Sequence, residues 1–205
     1  MQLLELFPTI VGVFEYEGFD RDAPAWRAAV ADVIAERARK LGIPQCQTDH
    51  RLHHRPELVD LVAFFRKCAA DYMAALKYTP TLELRLQGCW ASTLRGVDRF
   101  ELHEHANSFL SGSFYIDAES SAQPIRFWDP RPQARMHDLP VDTPMRINQR
   151  YYEIEATNGR LVLFPSWLAH RVRPSLSDVP RTSVSFNLTL HGEVGCDEHL
   201  TRAVL

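Results

Sequence analysis

Near Thr81 the grammar of the sequence changes, and that change limits the folds open to the chain. Before it, two segments repeat apolar residues at helical spacing. Asp22 can cap the first, Pro24 suits its first turn, and Trp26, Val30, Val33, Ile34 and Leu41 recur until Gly42 and Pro44 stop it. This pattern predicts a helix over 23–40. Pro56 opens the second, with Leu58, Leu61, Val62, Phe65, Ala69, Tyr72 and Leu76 on one face, and Lys77 to Pro80 end it. After Thr81 come short segments rich in Leu, Phe, Tyr, Val and Thr, parted by Gly, Pro, Asp and Asn. Strands are expected over 82–87, 89–95, 100–105, 110–117, 124–129, 151–156, 160–164 and 182–190. Short strands with no helix between them imply a mainly β architecture, an antiparallel barrel or two-sheet jelly roll, with the amino-terminal helices packed on one sheet. The expected organisation is a single domain over 1–205, with 1–80 as mainly helical support and 81–195 as the jelly-roll core. Between Asp129 and Gln149, Pro130, Pro132, Pro140 and Pro144 predict a long irregular excursion of the kind that often forms lids or binding loops.

Charge and cysteine content remove several functional classes. The 26 acidic and 23 basic residues leave a net charge of -3, which argues against binding nucleic acid by bulk phosphate neutralisation. Arg126, Arg131, Arg135, Arg146 and Arg150 thicken the charge around the excursion, where an anionic substrate could use them or water simply solvates them. Cys46, Cys68, Cys89 and Cys196 lie far apart and propose neither a zinc site nor a disulfide framework. Glu5 and Pro8 interrupt the amino terminus, so it does not read as a signal peptide. No run approaches the roughly 20 apolar residues of a membrane span. A cytoplasmic protein with no membrane partner is expected. An apolar helix stripe and an open sheet edge would each allow a homodimer.

The composition is rich in histidine, nine residues against six tyrosines, and three of the nine suggest chemistry. In Leu102-His103-Glu104-His105, at the end of an expected strand, residues two apart share a face. His103 and His105 would therefore point into the barrel and Glu104 out. His170 follows the break at Pro165 in a strongly apolar segment. Two histidines from one strand and a third from another make a set that leaves one side of a metal open, as catalytic iron and zinc sites require. Eleven residues further on, Arg181 and Ser183 share one face of an expected strand. Turned inward, the guanidinium would need an anion, and its fork suits a carboxylate. An internal salt bridge or an exposed edge arginine is the other reading.

These motifs, in the order His-x-His, Ser111-Gly112-Ser113-Phe114-Tyr115, Phe164-Pro165-Ser166-Trp167-Leu168-Ala169-His170, Arg181-Thr182-Ser183 and Phe186-Asn187, resemble the 2-oxoglutarate- and iron(II)-dependent oxygenase family of bacteria and phages. Leu6-Phe7-Pro8-Thr9 is also similar to the opening of such chains. The resemblance is dense from about Trp90 to Leu190. It implies a double-stranded β-helix, Fe(II) at its mouth, 2-oxoglutarate as co-substrate and O2. The implied reaction decarboxylates 2-oxoglutarate to succinate and oxidises, usually hydroxylates, a C–H bond. His103 then matches the first metal ligand and His170 the last, while Arg181, Ser183 and Tyr115 match the residues that hold the co-substrate. Asn107 and Asn187 become polar groups near the mouth. One departure stands out: the wider superfamily has a carboxylate where this chain has His105. Glu104 could replace it only if a bulge turned the strand by one residue.

Two other readings keep the fold. A cupin-type three-histidine metalloenzyme would not use 2-oxoglutarate, and a non-catalytic module would bind metal or 2-oxoglutarate without turnover. The expected guest is a small molecule or peptide. His50, His53 and His54 form a basic loop, either solvated or a rim that meets substrate, and His137, His191 and His199 read as surface residues. Trp90, Phe109, Phe114, Phe127 and Trp128 read as core or cavity wall rather than as a base-stacking platform.

Overall fold

Helix α1 runs from Phe19 to Leu41, a full turn earlier than its sequence pattern predicts. The computed structural model that shows this describes residues 1–44, 46–79, 82–118, 122–131, 133, 136–137, 139–174 and 178–205. Pro80, Thr81, Pro132 and Arg135, which entered the sequence argument, lie outside the described residues. The cap is Gly18, in the left-handed region at φ 83°, and not Asp22. Asp22 instead accepts the Tyr16 hydroxyl at 2.9 Å and pairs with Arg21. The extra turn is favoured by Phe19, whose ring packs near Trp26 and Phe114 at centroid distances of 6.3 and 6.2 Å. Helix α2, Val59–Ala75, is entered through a short 3-10 turn at Pro56–Leu58, as a proline at a helix start favours.

The strands are β1 (Gly12–Glu15), β2 (Glu83–Leu94), β3 (Phe100–His103), β4 (Leu110–Asp117), β5 (Ile125–Trp128), β6 (Tyr151–Ile154), β7 (Arg160–Pro165), β8 (His170–Val172), β9 (Arg181–His191), β10 (Glu193–Val194) and β11 (Ala203–Val204). Two of the expected strands, 82–87 and 89–95, are one: β2 continues through an irregularity between Leu86 and Gly88 rather than turning there. Gly88, which falls between the two expected strands, lies at this shift of register, a place where glycine is common within a strand. Strands β1, β8, β10 and β11 were not anticipated. They are two to four residues long and exist by pairing with distant partners, which a short apolar run cannot announce. Among the described residues, the pairings between these strands are antiparallel, in a five-stranded sheet ordered β1-β7-β4-β9-β2, a four-stranded sheet ordered β3-β8-β5-β6 and the β10-β11 pair. This is the jelly roll the sequence predicts, with β1 added to it from the amino-terminal part. No helix of the described residues is long and apolar enough to cross a membrane.

The five-stranded sheet is covered on both faces. Leu110, Phe114 and Ile116 of β4, Leu161 and Leu163 of β7, and Val184, Phe186 and Leu188 of β9 share one core with Trp26, Phe65 and Tyr72 of the helices. The alternate residues Tyr115, Val162 and Phe164 join Ile125 and Phe127 of the second sheet in another. Period-two alternation thus divides these strands between a helix-facing core and an interior between the sheets. That interior is polar along part of its length. Ser92, Ser111, Ser113, Arg181 and Ser183 are all buried there.

Gly112 shows how tightly the helix-facing layer is closed. A Cβ at this position would lie 2.3 Å from the Phe186 ring, which itself stacks on Phe65 at 4.3 Å. Gly112→Ala should lower stability by about 1–3 kcal/mol through this overpacking, with a reduced midpoint in denaturant unfolding and an unchanged slope. An unaltered midpoint would show that the aromatic stack yields freely.

Candidate metal centre

Three histidines meet where the two short strands of the four-stranded sheet end. His103 closes β3, His170 opens β8, and the two are direct cross-strand partners. Pro165 ends β7, the chain turns through 166–169, and β8 begins at once. The same turn anchors the third imidazole, since the His105 backbone N–H donates to the Ser166 carbonyl at 3.0 Å. Ring centroids lie 4.4 Å apart for His103 and His170, and 5.1 Å apart for His105 with either of the others. One ligand nitrogen from each lies within 4.8 Å of the other two, close enough for one ion to bind all three.

Hydrogen bonds prepare two of these rings. His103 Nδ1 lies 2.7 Å from the Glu101 carbonyl and His170 Nδ1 lies 2.9 Å from the Leu168 carbonyl. A carbonyl only accepts, so each Nδ1 carries a proton and Nε2 is the nitrogen left to face a metal. Burial beside Phe164 and Phe127 drives the His170 pKa down to about 3, with His103 and His105 adding to the drop and the Leu168 carbonyl opposing it. Burial, followed by the neighbouring His103, takes His105 down to about 4. Both are neutral at pH 7, the state that binds a metal. Glu104 is exposed and stands outside the group.

The other end of the interior holds Arg181, 4% exposed. Its Nε donates to the Gln123 carbonyl at 3.0 Å and its guanidinium lies over the Tyr115 ring at 4.8 Å. Its Nη1 and the Tyr115 hydroxyl are both buried without a hydrogen-bond partner. Ser183, also buried, is the cross-strand partner of Tyr115. The structure therefore brings Arg181, Ser183 and Tyr115 together. Asn187 is set apart from them. Its Oδ1 accepts from Ser111 Oγ at 2.8 Å, and that hydroxyl is 2.8 Å from Ser166 Oγ, so Asn187 braces the turn that holds His105. Asn107 is exposed in a left-handed turn at φ 58°, a conformation that Asn tolerates well.

Two neighbours of the site carried only a weak signal in the sequence. Trp90 lies 5.9 Å from His105, and His50 covers Trp90 at 4.9 Å, which places the His50 loop beside the mouth. That loop is tied to the edge of β2 by the bonds Thr48 N to Ala91 O and Cys89 N to His50 O. The His53 and His54 rings lie tilted against each other, 4.0 Å apart, and are not part of the three-histidine group.

Residues 88–187 match the family model described as Putative 2OG-Fe(II) oxygenase, and the three histidines and Arg181 all lie within that stretch. That stretch is similar to this oxygenase family. Solved structures of the same fold include a prolyl-4-hydroxylase of Pseudomonas putida, at 15% identity and a TM-score of 0.60 over 90% of this chain and 94% of that one. EctD of S. alaskensis, solved with 2-oxoglutarate and 5-hydroxyectoine, has 12% identity and a TM-score of 0.63 over 88% of this chain and 72% of its own. HygX of Streptomyces hygroscopicus, solved with nickel and 2-oxoglutarate, has 12% identity and a TM-score of 0.56 over 88% and 82%. Identities this low speak for the fold. No curated protein sequence matches the chain.

His105→Ala should weaken Fe(II) binding by roughly a hundredfold or more, whereas Glu104→Ala should leave it within about twofold. Anaerobic calorimetry with Fe(II) reads both. Loss of binding in the Glu104 variant alone would mean that the carboxylate, and not the imidazole, coordinates.

Proposed function

We propose that the protein is an Fe(II)- and 2-oxoglutarate-dependent dioxygenase that hydroxylates an unidentified small-molecule or peptide substrate while 2-oxoglutarate is decarboxylated to succinate. The observation that carries this reading is Arg181: a buried guanidinium with an unpartnered Nη1 and no ion pair among the described residues, on the same interior as a three-histidine group. A buried arginine without an anion is costly, and a carboxylate relieves that cost. A three-histidine hydrolase needs no such group at one ligand's length from its metal.

The residues present fit the ion and the co-substrate. His103, His105 and His170 would hold Fe(II) through imidazole nitrogens, with Nδ1 of the first and last already occupied by carbonyls. Arg181, Ser183 and Tyr115 would hold the far carboxylate of 2-oxoglutarate. Asn187 positions the turn behind His105, and Asn107 stands at the mouth as a polar group that could meet substrate. With iron and 2-oxoglutarate bound, O2 would be the oxidant: oxidative decarboxylation of 2-oxoglutarate to succinate and CO2 and the substrate C–H bond would each give it two electrons, and its atoms would end in succinate and in the hydroxylated product. The chain fixes positions and limits water. Phe127 and Phe164 shield His170, and Trp90 walls the side of His105.

Anaerobic titration of the purified protein with Fe(II) and 2-oxoglutarate should produce the weak visible band of the chelate. Arg181→Gln should weaken 2-oxoglutarate binding about tenfold to a hundredfold while Fe(II) binding persists. If the wild type shows neither the band nor heat from 2-oxoglutarate, the proposed use of 2-oxoglutarate is wrong.

A further inference from the structure

We infer that Ser92 is an additional co-substrate residue, whose hydroxyl completes the carboxylate cradle formed by Arg181, Ser183 and Tyr115. The inference rests on the 2-oxoglutarate reading above and assigns a residue that the sequence motifs do not mark. Ser92 is 2% exposed, and its Oγ is buried with no hydrogen-bond partner. Such a hydroxyl is unfavourable unless something else satisfies it. The three orphaned groups Ser92 Oγ, Tyr115 OH and Arg181 Nη1 come from three adjacent strands of one sheet.

Register places these groups on one patch. In the ladder between β2 and β9, Ser92 is the direct partner of Ser183, and in the ladder between β4 and β9 Ser183 is the direct partner of Tyr115. Ser92, Ser183 and Tyr115 therefore form a single row across the sheet. Arg181 is one same-face step along β9, opposite Leu94. The face is the interior one, because the alternate residues Cys89 and Ala91 belong to the helix-facing core while Trp90 approaches His105. From the Trp90 rung to the Leu94 rung the strand advances about 13 Å. A 2-oxo acid chelated near His105 would lie along this track, with Ser92 at the level where its far carboxylate meets the arginine. A carboxylate offers about four lone-pair sites. Arg181 Nη1, the Tyr115 hydroxyl, the Ser183 hydroxyl and the Ser92 hydroxyl supply four donors.

The role is positional and selective: Ser92 reads the distal carboxylate and has no part in holding the metal. The test compares wild type with Ser92→Ala by anaerobic calorimetry on the Fe(II)-loaded proteins, using 2-oxoglutarate and 2-oxobutyrate. The second ligand keeps the chelating 2-oxo acid head and lacks the distal carboxylate. Ser92→Ala should weaken 2-oxoglutarate about fivefold to twentyfold and leave 2-oxobutyrate and Fe(II) affinities within about twofold. Unchanged 2-oxoglutarate affinity in a wild type that binds it would overturn the role of Ser92 alone. Equal losses for both ligands would also overturn it, since they would mark a general packing defect. A wild type that binds Fe(II) but not 2-oxoglutarate would instead remove the reading on which the inference rests.

Discussion

The burial of the five-stranded sheet on both faces is the constraint on which the rest of the molecule depends. Strand β9 shows it most clearly. Val184, Phe186 and Leu188 are committed to the helices, and Arg181 and Ser183 to the interior between the sheets. A slip of one residue would exchange these sets, placing serine and asparagine against the Phe65 and Trp26 layer and aromatic bulk in the ligand track. The hydrophobic free energy of the helix-facing core therefore fixes the register that aligns Arg181 with Leu94 and Ser183 with Ser92 and Tyr115. Helices that touch no ligand nevertheless position the site.

The second sheet plays the opposite part. It is built from strands of three and four residues, too short to be stable alone, and its main product is the pairing of His103 with His170. That pairing joins residues 67 positions apart in the chain, so the metal group is a long-range contact that no local pattern contains. The His-x-His spacing nevertheless made half of the group readable, because strand periodicity puts such residues on one side. Pro165 made the approach of His170 readable, because a proline at a strand end forces a turn. Strand β8 itself was not readable, nor was β1, and β2 read as two strands parted at Gly88 because a bulge and a break both call for glycine. Ser92 escaped for another reason. A single serine in the apolar run Cys89-Trp90-Ala91-Ser92 has no motif, and its meaning appears only when its hydroxyl is found buried and unpartnered opposite Ser183.

The two buried arginines among the described residues show how the interior differs from the rest of the fold. Arg126 bonds Glu153 at 2.6 Å and lies 3.8 Å from the centre of the Tyr151 ring, so its charge is matched where it stands. Arg181 has a backbone carbonyl and the Tyr115 ring, and neither carries a negative charge. No carboxylate is buried among the described residues, and the family resemblance implies that His105 stands where the wider superfamily has a carboxylate. With His105 and His170 neutral, no buried carboxylate among the described residues offsets a divalent ion at one end of the track or the guanidinium at the other. A dianion with a chelating head and a distal carboxylate would meet both charges at once. Ion and dianion should then favour each other's binding, because each supplies a countercharge to the other. In this reading the exchange of a carboxylate for His105 moves the neutralisation of the metal from the protein to its co-substrate.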